Sequence, residues 1–128
     1  MTRRVLALID ARSNAAELAP QAARVAAAEN AHLLIGIDVD AFPFAALSER
    51  LATSVRAAQD AGARTSTVLV DSSDPVAIAR IARNNAVDLL VIEDRTGSEA
   101  ALDDIVMVLG LAGIAILRVQ ASRAYVTA

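Results

Sequence analysis

Apolar residues fall into two alternating rhythms along this chain. Short unbroken runs of Val, Ile and Leu alternate with stretches where apolar residues recur every three or four positions. The unbroken runs read as strands buried on both faces, and the wider spacing reads as helices with one buried face. Arg4 to Ile9 is the first predicted strand, ending at Asp10. Asn14 and Glu17 have capping-box spacing and open a helix to about Asn30. Pro20 lies inside that stretch, so the helix either kinks there or starts later. His32 to Ile37 is the second strand, followed by Asp38-Val39-Asp40.

Leu47, Leu51, Val55 and Ala58 line one face of a second helix that stops at Gly62. Thr65 to Val70 is the third strand and runs into Asp71. Asp74-Pro75 supplies an N-cap followed by proline at the first helical position. That helix turns Ile78, Ile81 and Ala82 inward and ends near Asn84-Asn85. Asp88 to Ile92 is the fourth strand, and it runs into Glu93-Asp94-Arg95-Thr96. Ala101, Leu102, Ile105, Val106 and Leu109 form a fourth helical stripe, stopped by Gly110 or Gly113. Ile114 to Val119 is the fifth strand, and Gln120 to Ala128 is a polar tail. Strict alternation of strand and helix predicts an α/β domain, one open five-stranded parallel sheet with helices on both faces. Residues 1–128 form a single domain on size.

Composition removes several classes of chemistry. Cysteine is absent, so disulfides, thiol catalysis and Cys-based metal sites are excluded. All 12 basic residues are Arg, which removes Schiff bases, a Walker-type phosphate Lys and a Lys general base. The Ala and Arg usage points to a GC-rich bacterial source, and the Ala content suits close helix-on-sheet packing. Net charge is −3 and aromatic content is 2%, which argues against nucleic-acid binding. The apolar run after Met1-Thr2-Arg3-Arg4 is too short for a signal or membrane segment, so a cytoplasmic location without membrane association is expected.

Several segments, in order along the chain, resemble the universal stress protein family. Arg4 to Asp10 is similar to that family's first strand with its terminal Asp. Asn30-Ala31-His32-Leu33 is similar to its entry into strand two, and Asp74-Pro75-Val76-Ala77-Ile78 to its Gly-Asp-Pro-x-x-x-Ile segment. Ala86 to Ile92 is similar to its Ala-Asp-Leu-Ile-Val-Met strand, and Val108 to Val119 to its last helix turn and closing strand. The resemblance implies a flavodoxin-like, adenine-nucleotide-hydrolase-like sheet of order 3-2-1-4-5 and a dimer formed along strand five. It also implies a contact from Asp10 to the adenosine part of a nucleotide.

The chain departs from the family at the phosphate loop. ATP-binding members carry Gly-x-x-Gly, about nine residues, then Gly-Ser or Gly-Thr, after strand four, and such glycines let backbone amides approach phosphates. Here the first two glycine positions hold Glu93 and Thr96. The final pair falls at Val106-Met107 when counted forward and at Leu102-Asp103 when counted back from strand five. Ala11-Arg12 stands where the family often has Gly-Ser. A carboxylate about 4 Å from a phosphate charge costs on the order of 4 kcal/mol near a surface. Arg12 and Arg95 are positioned in sequence to offset part of that.

Asp10, Asp38, Asp40, Asp71, Glu93 and Asp94 all fall at or just past carboxyl ends of strands. They read either as a carboxylate cluster for a hard cation or as solvated strand ends and helix caps, and the second reading is preferred. A phospho-acceptor receiver domain shares this sheet but needs a Lys that the chain lacks. His32 is the single His, without a second ligand for a metal. Phe42-Pro43-Phe44 reads as packing of a connection, with a lid or partner contact as the alternative. Strand 114–119 is apolar and lies at an edge in the implied order, which favours a homodimer by strand addition over cover by the tail.

The expectation is a non-catalytic, stress-associated or regulatory module that uses no cofactor and does not bind ATP in the family's usual manner. The alternative is an adenine-nucleotide switch or weak ATPase that holds ATP or AMP in the crevice at Asp10.

Overall fold

The computed structural model describes residues 4–9, 15–38, 44–71, 74–93 and 100–119. Nine elements alternate along them: β1 (Arg4–Ile9), α1 (Ala15–Ala28), β2 (His32–Asp38), α2 (Phe44–Asp60), β3 (Thr65–Val70), α3 (Pro75–Asn84), β4 (Leu89–Glu93), α4 (Ala100–Leu111) and β5 (Ala115–Val119). The five strands form one parallel sheet of order β3-β2-β1-β4-β5. This is the doubly wound, flavodoxin-like arrangement.

Period-two alternation sends successive strand residues to opposite faces and so divides the core in two. Val5, Ala7 and Ile9 of β1, with Leu33, Ile35 and Ile37 of β2, face α1 and α2. Leu6 and Leu8, with Leu34, Leu90 and Ile92, face α3 and α4. The alanines have a structural role on the first face. Ala19, Ala22, Ala23 and Ala26 of α1 are fully buried, and their short side chains let the helix lie close on the sheet. On the second face Gly36 makes room for its neighbours. A Cβ there would stand 3.2 Å from Leu6 Cδ1 and 3.3 Å from Val70 Cγ1.

Element boundaries differ from the sequence reading in a few places. α1 begins at Ala15, so Pro20 lies within it and a later start is excluded. Proline has no N–H to donate to the Ala16 carbonyl, and burial of the alanine face holds the helix across that gap. α4 runs through Gly110, and Gly113, at φ +83°, is the residue that ends it. β4 begins at Leu89 and includes Glu93, because pairing with β5 continues to the Glu93–Val119 register. Phe44 is the first residue of α2 and not part of a connection, while Phe42 and Pro43 lie outside the described residues. Asp74 caps α3 as its sequence predicts: its carboxylate accepts a hydrogen bond from the Ala77 N–H at 3.1 Å. Ile78 and Ala82 are buried beneath it, and Ile81 is half-buried.

Candidate functional site

In a sheet of this order the strand sequence reverses between β1 and β4. In folds of this order ligands bind outside the carboxyl ends of the strands at such a switch point. The described residues that bound this end are Ile9 of β1, Asp38 of β2, Glu93 of β4 and Val119 of β5. Asp10, the residue singled out for a nucleotide, follows the fully buried Ile9 and lies outside the described residues. So do Arg12, Asp40, Asp94, Arg95 and Thr96.

Among the described residues, the acids predicted at this end, Asp38, Asp71 and Glu93, do not converge. Strand alternation places Glu93 on the face of Leu89 and Val91, toward α1 and α2. Asp38 follows Leu34 and Gly36 on the other face, toward α3 and α4. The two strands are separated by β1, which puts their backbones roughly 10 Å apart at about 4.8 Å per strand. Asp38 is 5% exposed and Glu93 is half-buried. Each takes part in a hydrogen-bond or electrostatic interaction, so neither is a bare charge. Asp71, half-buried past the end of β3, lies at the far edge. Among the described residues no three His, Cys, Asp or Glu side chains are grouped to hold a metal ion.

The two alternative positions for the closing pair of a phosphate loop both fall in α4. Val106-Met107 is in mid-helix, where backbone N–H groups are already used by the helix, so that placement is excluded. Leu102-Asp103 lies in the first turn, where free N–H groups and the helix dipole favour an anion. The chain puts the exposed carboxylate of Asp103 there instead of a small residue. With Glu93 at the preceding strand end, acids stand on both sides of the segment that would hold phosphates.

His32 is at the opposite, amino end of the sheet, where it starts β2. Its Nε2 shares a 2.7 Å hydrogen bond with Ser66 Oγ on β3. Burial holds its pKa below the usual value, and the nearby Arg4 and Arg64 add to that effect. The lowered pKa favours the neutral imidazole, which is tied to a structural partner at the end of the sheet away from the carboxyl ends of the strands. Sequence reasoning did not distinguish Asp38 from the other strand-end acids. In the β2–β3 register Asp38 pairs with Val70, and it is buried on the same face as Leu34.

The fold defines the class: a doubly wound α/β domain with its switch point between β1 and β4. Solved universal stress proteins share this structure. One, in complex with cAMP, superposes with a TM-score of 0.73 at 24% identity, covering 94% of this chain and 98% of its own. The universal stress protein from Archaeoglobus fulgidus superposes at 0.74 with 16% identity, covering 94% and 95%. The same organism's protein in complex with dAMP superposes at 0.71 with 16% identity, covering 94% and 98%. The sequence itself matches no protein-family model and no curated relative. The chain thus has the universal stress protein fold over nearly its whole length, as the sequence resemblance implies. No helix among the described residues is long and apolar enough to cross a membrane.

Proposed function

We propose that the chain is a non-catalytic regulatory module of the universal stress protein fold whose crevice takes an adenine mononucleotide and not ATP. The observation that carries this reading is the acidic phosphate end: Glu93 ends β4 and Asp103 stands in the first turn of α4. Each unit of phosphate charge brought to about 4 Å of a carboxylate costs on the order of 4 kcal/mol at a near-surface dielectric, so the cost grows with the number of phosphates. A triphosphate meets most of it, a monophosphate much less, and a cyclic monophosphate with one charge least. Structural relatives held in complex with cAMP and dAMP, both adenine mononucleotides, favour the same ligand class. Asp10 follows the central strand beside the switch point and is the residue we assign to the adenosine half. The absence of Cys and Lys from the sequence and the position of His32 at the far end of the sheet leave the crevice without a nucleophile–base pair of the usual kinds, which supports a binding role over turnover.

Thermal denaturation with cAMP, AMP and ATP tests this. A ligand present at about 100 times its Kd stabilises by about 2.7 kcal/mol, several degrees in a domain of this size. The expected order of shifts is cAMP, then AMP, with ATP near zero. A larger shift for ATP than for AMP contradicts the proposal.

We further propose that β5 pairs with the β5 of a second copy. It is the outer strand of the sheet, and Ile116, Leu117 and Val119 are only half-covered. Leu117→Lys places like charges opposite each other at the centre of such a pair, which weakens it. Light scattering that finds the same mass for this variant and the parent protein removes this interface.

A further inference from the structure

The outer face of the α3–α4 pair carries exposed apolar side chains and opposite charges in an ordered arrangement. Each helix follows one strand of the parallel sheet and returns to the next, so the two lie side by side and run in the same direction. A groove of about 580 Å³ between them is lined by Val76, Ala79, Arg80 and Arg83 of α3 and by Val108 and Leu111 of α4. Val76, Met107 and Leu111 are 57%, 59% and 83% exposed. Arg80 and Arg83, near the end of α3, and Asp103 and Asp104, near the start of α4, are also exposed.

Their positions form four corners. With a rise of about 1.5 Å per residue in both helices, the shared lining sets Arg80 near the level of Val108 and Arg83 near that of Leu111. Val76 then lies near the level of Asp104. The start of α4 is acidic and the end of α3, diagonally across, is basic. The start of α3 is apolar through Val76, and the end of α4, diagonally across, is apolar through Leu111. A two-fold axis lying in the plane of this face, along the Val76–Leu111 diagonal, turns the face onto its own copy and exchanges the acidic and basic corners.

We propose that this face binds a second copy of the same chain about such an axis. Asp103 and Asp104 of each copy then meet Arg80 and Arg83 of the other, while Val76 and Leu111, lying on the axis, each meet the same residue of the other copy. Opposite charges pair across the axis and apolar side chains pair on it, which is the self-complementarity an isologous contact requires. An acidic partner segment would meet Asp103 and Asp104, a basic one would meet Arg80 and Arg83, and an anionic lipid surface would meet the acids and a chain of net charge −3. The patch is small. Two helices roughly 15 and 18 Å long and about 10 Å apart present a face of some 18 by 20 Å. That is modest against the roughly 800 Å² per partner of a standard interface, so the association is weak and depends on concentration. It uses a different surface from the β5 edge and, though it shares Asp103 with the phosphate end, it does not rest on the nucleotide reading.

Sedimentation equilibrium of the full chain, from low micromolar to submillimolar concentration, tests the contact. Arg80→Glu/Arg83→Glu is expected to weaken self-association on the order of tenfold or more, as is Asp103→Arg/Asp104→Arg. The four substitutions together leave the net charge unchanged and restore the charge pairing, so association returns. Leu111→Glu, at a position 83% exposed where the fold tolerates it, weakens association without restoration. Far-ultraviolet circular dichroism and the melting midpoint confirm that each variant is folded. A parent chain that stays monomeric over the whole range overturns the proposal, and so does a fourfold variant that fails to recover. Association that survives Arg80→Glu/Arg83→Glu and Leu111→Glu but is lost in Leu117→Lys assigns self-association to β5 and overturns it as well.

Discussion

Ser54 sits within α2 at 0% exposure, and its hydroxyl has no hydrogen-bond partner among the described residues. A buried, unpaired hydroxyl costs roughly 1–3 kcal/mol, and Ala is also the better helix former. Ser54→Ala is therefore expected to stabilise the domain by about 1 kcal/mol, read as a higher midpoint in urea denaturation at constant slope. His32 gives a pH prediction. Its pKa is lowered in the folded state by burial and by Arg4 and Arg64, so the unfolded chain binds the proton more readily. Its contribution to stability is fully present above the unfolded value of about 6.5 and is lost as pH falls from there through the folded value. His32→Gln should flatten the stability profile between about pH 7 and 5. Equal slopes for the two proteins over that interval would show that His32 has no part in it. At this scale the sequence was only partly legible. Asp74 announced its capping role through the proline beside it, whereas six strand-end acids looked alike, and only the register separates buried Asp38 from half-buried Glu93.

The helices all end the same way. Asn30, Gly62, Ala86 and Gly113 have positive φ, from 53° to 95°. The residue after each donates its N–H back to the last turn: Ala31 to Ala26, Ala63 to Ala58, Val87 to Ala82 and Ile114 to Leu109, at 2.7–3.3 Å. These are Schellman turns, and the residues that close them are all buried, so each turn also sets the entry of the next strand. Two of the four were legible because they use Gly. Asn30 and Ala86 were not, since neither residue type demands the left-handed region. Ala at that position carries a strain of roughly 1–2 kcal/mol, partly offset by the lower chain entropy of Ala relative to Gly. Ala86→Gly is expected to raise stability by about 0.5–1 kcal/mol, measured by denaturant unfolding. A loss of stability would mean that the Ala86 methyl group makes contacts that outweigh the strain.

Across the whole molecule, the alternation of buried runs and amphipathic stripes was sufficient to predict the parallel sheet, and β5 is at its edge as expected. The pattern succeeded because strands buried on both faces and helices buried on one leave distinct apolar spacings. The site was less legible for a physical reason. Residues that bind ligand come from strand ends and connections, where burial imposes no period, and Asp10 and Asp94 both fall in such segments. What the sequence did expose was the loss of phosphate-loop glycines, and with Glu93 ending β4 and Asp103 in the first turn of α4 the proposed consequence is repulsion that grows with phosphate number. Amide chemical-shift mapping during titration with AMP and with ATP tests this claim most directly, because it reports both the ligand and the place. The account predicts that AMP moves the resonances of Ile9, Asp38 and Glu93 at the carboxyl ends of the strands. His32, Thr65 and Asp88 at the amino ends should stay fixed, and ATP should move neither set at equal concentration. Perturbation by ATP as large as that by AMP, or AMP shifts confined to the amino ends, would contradict it.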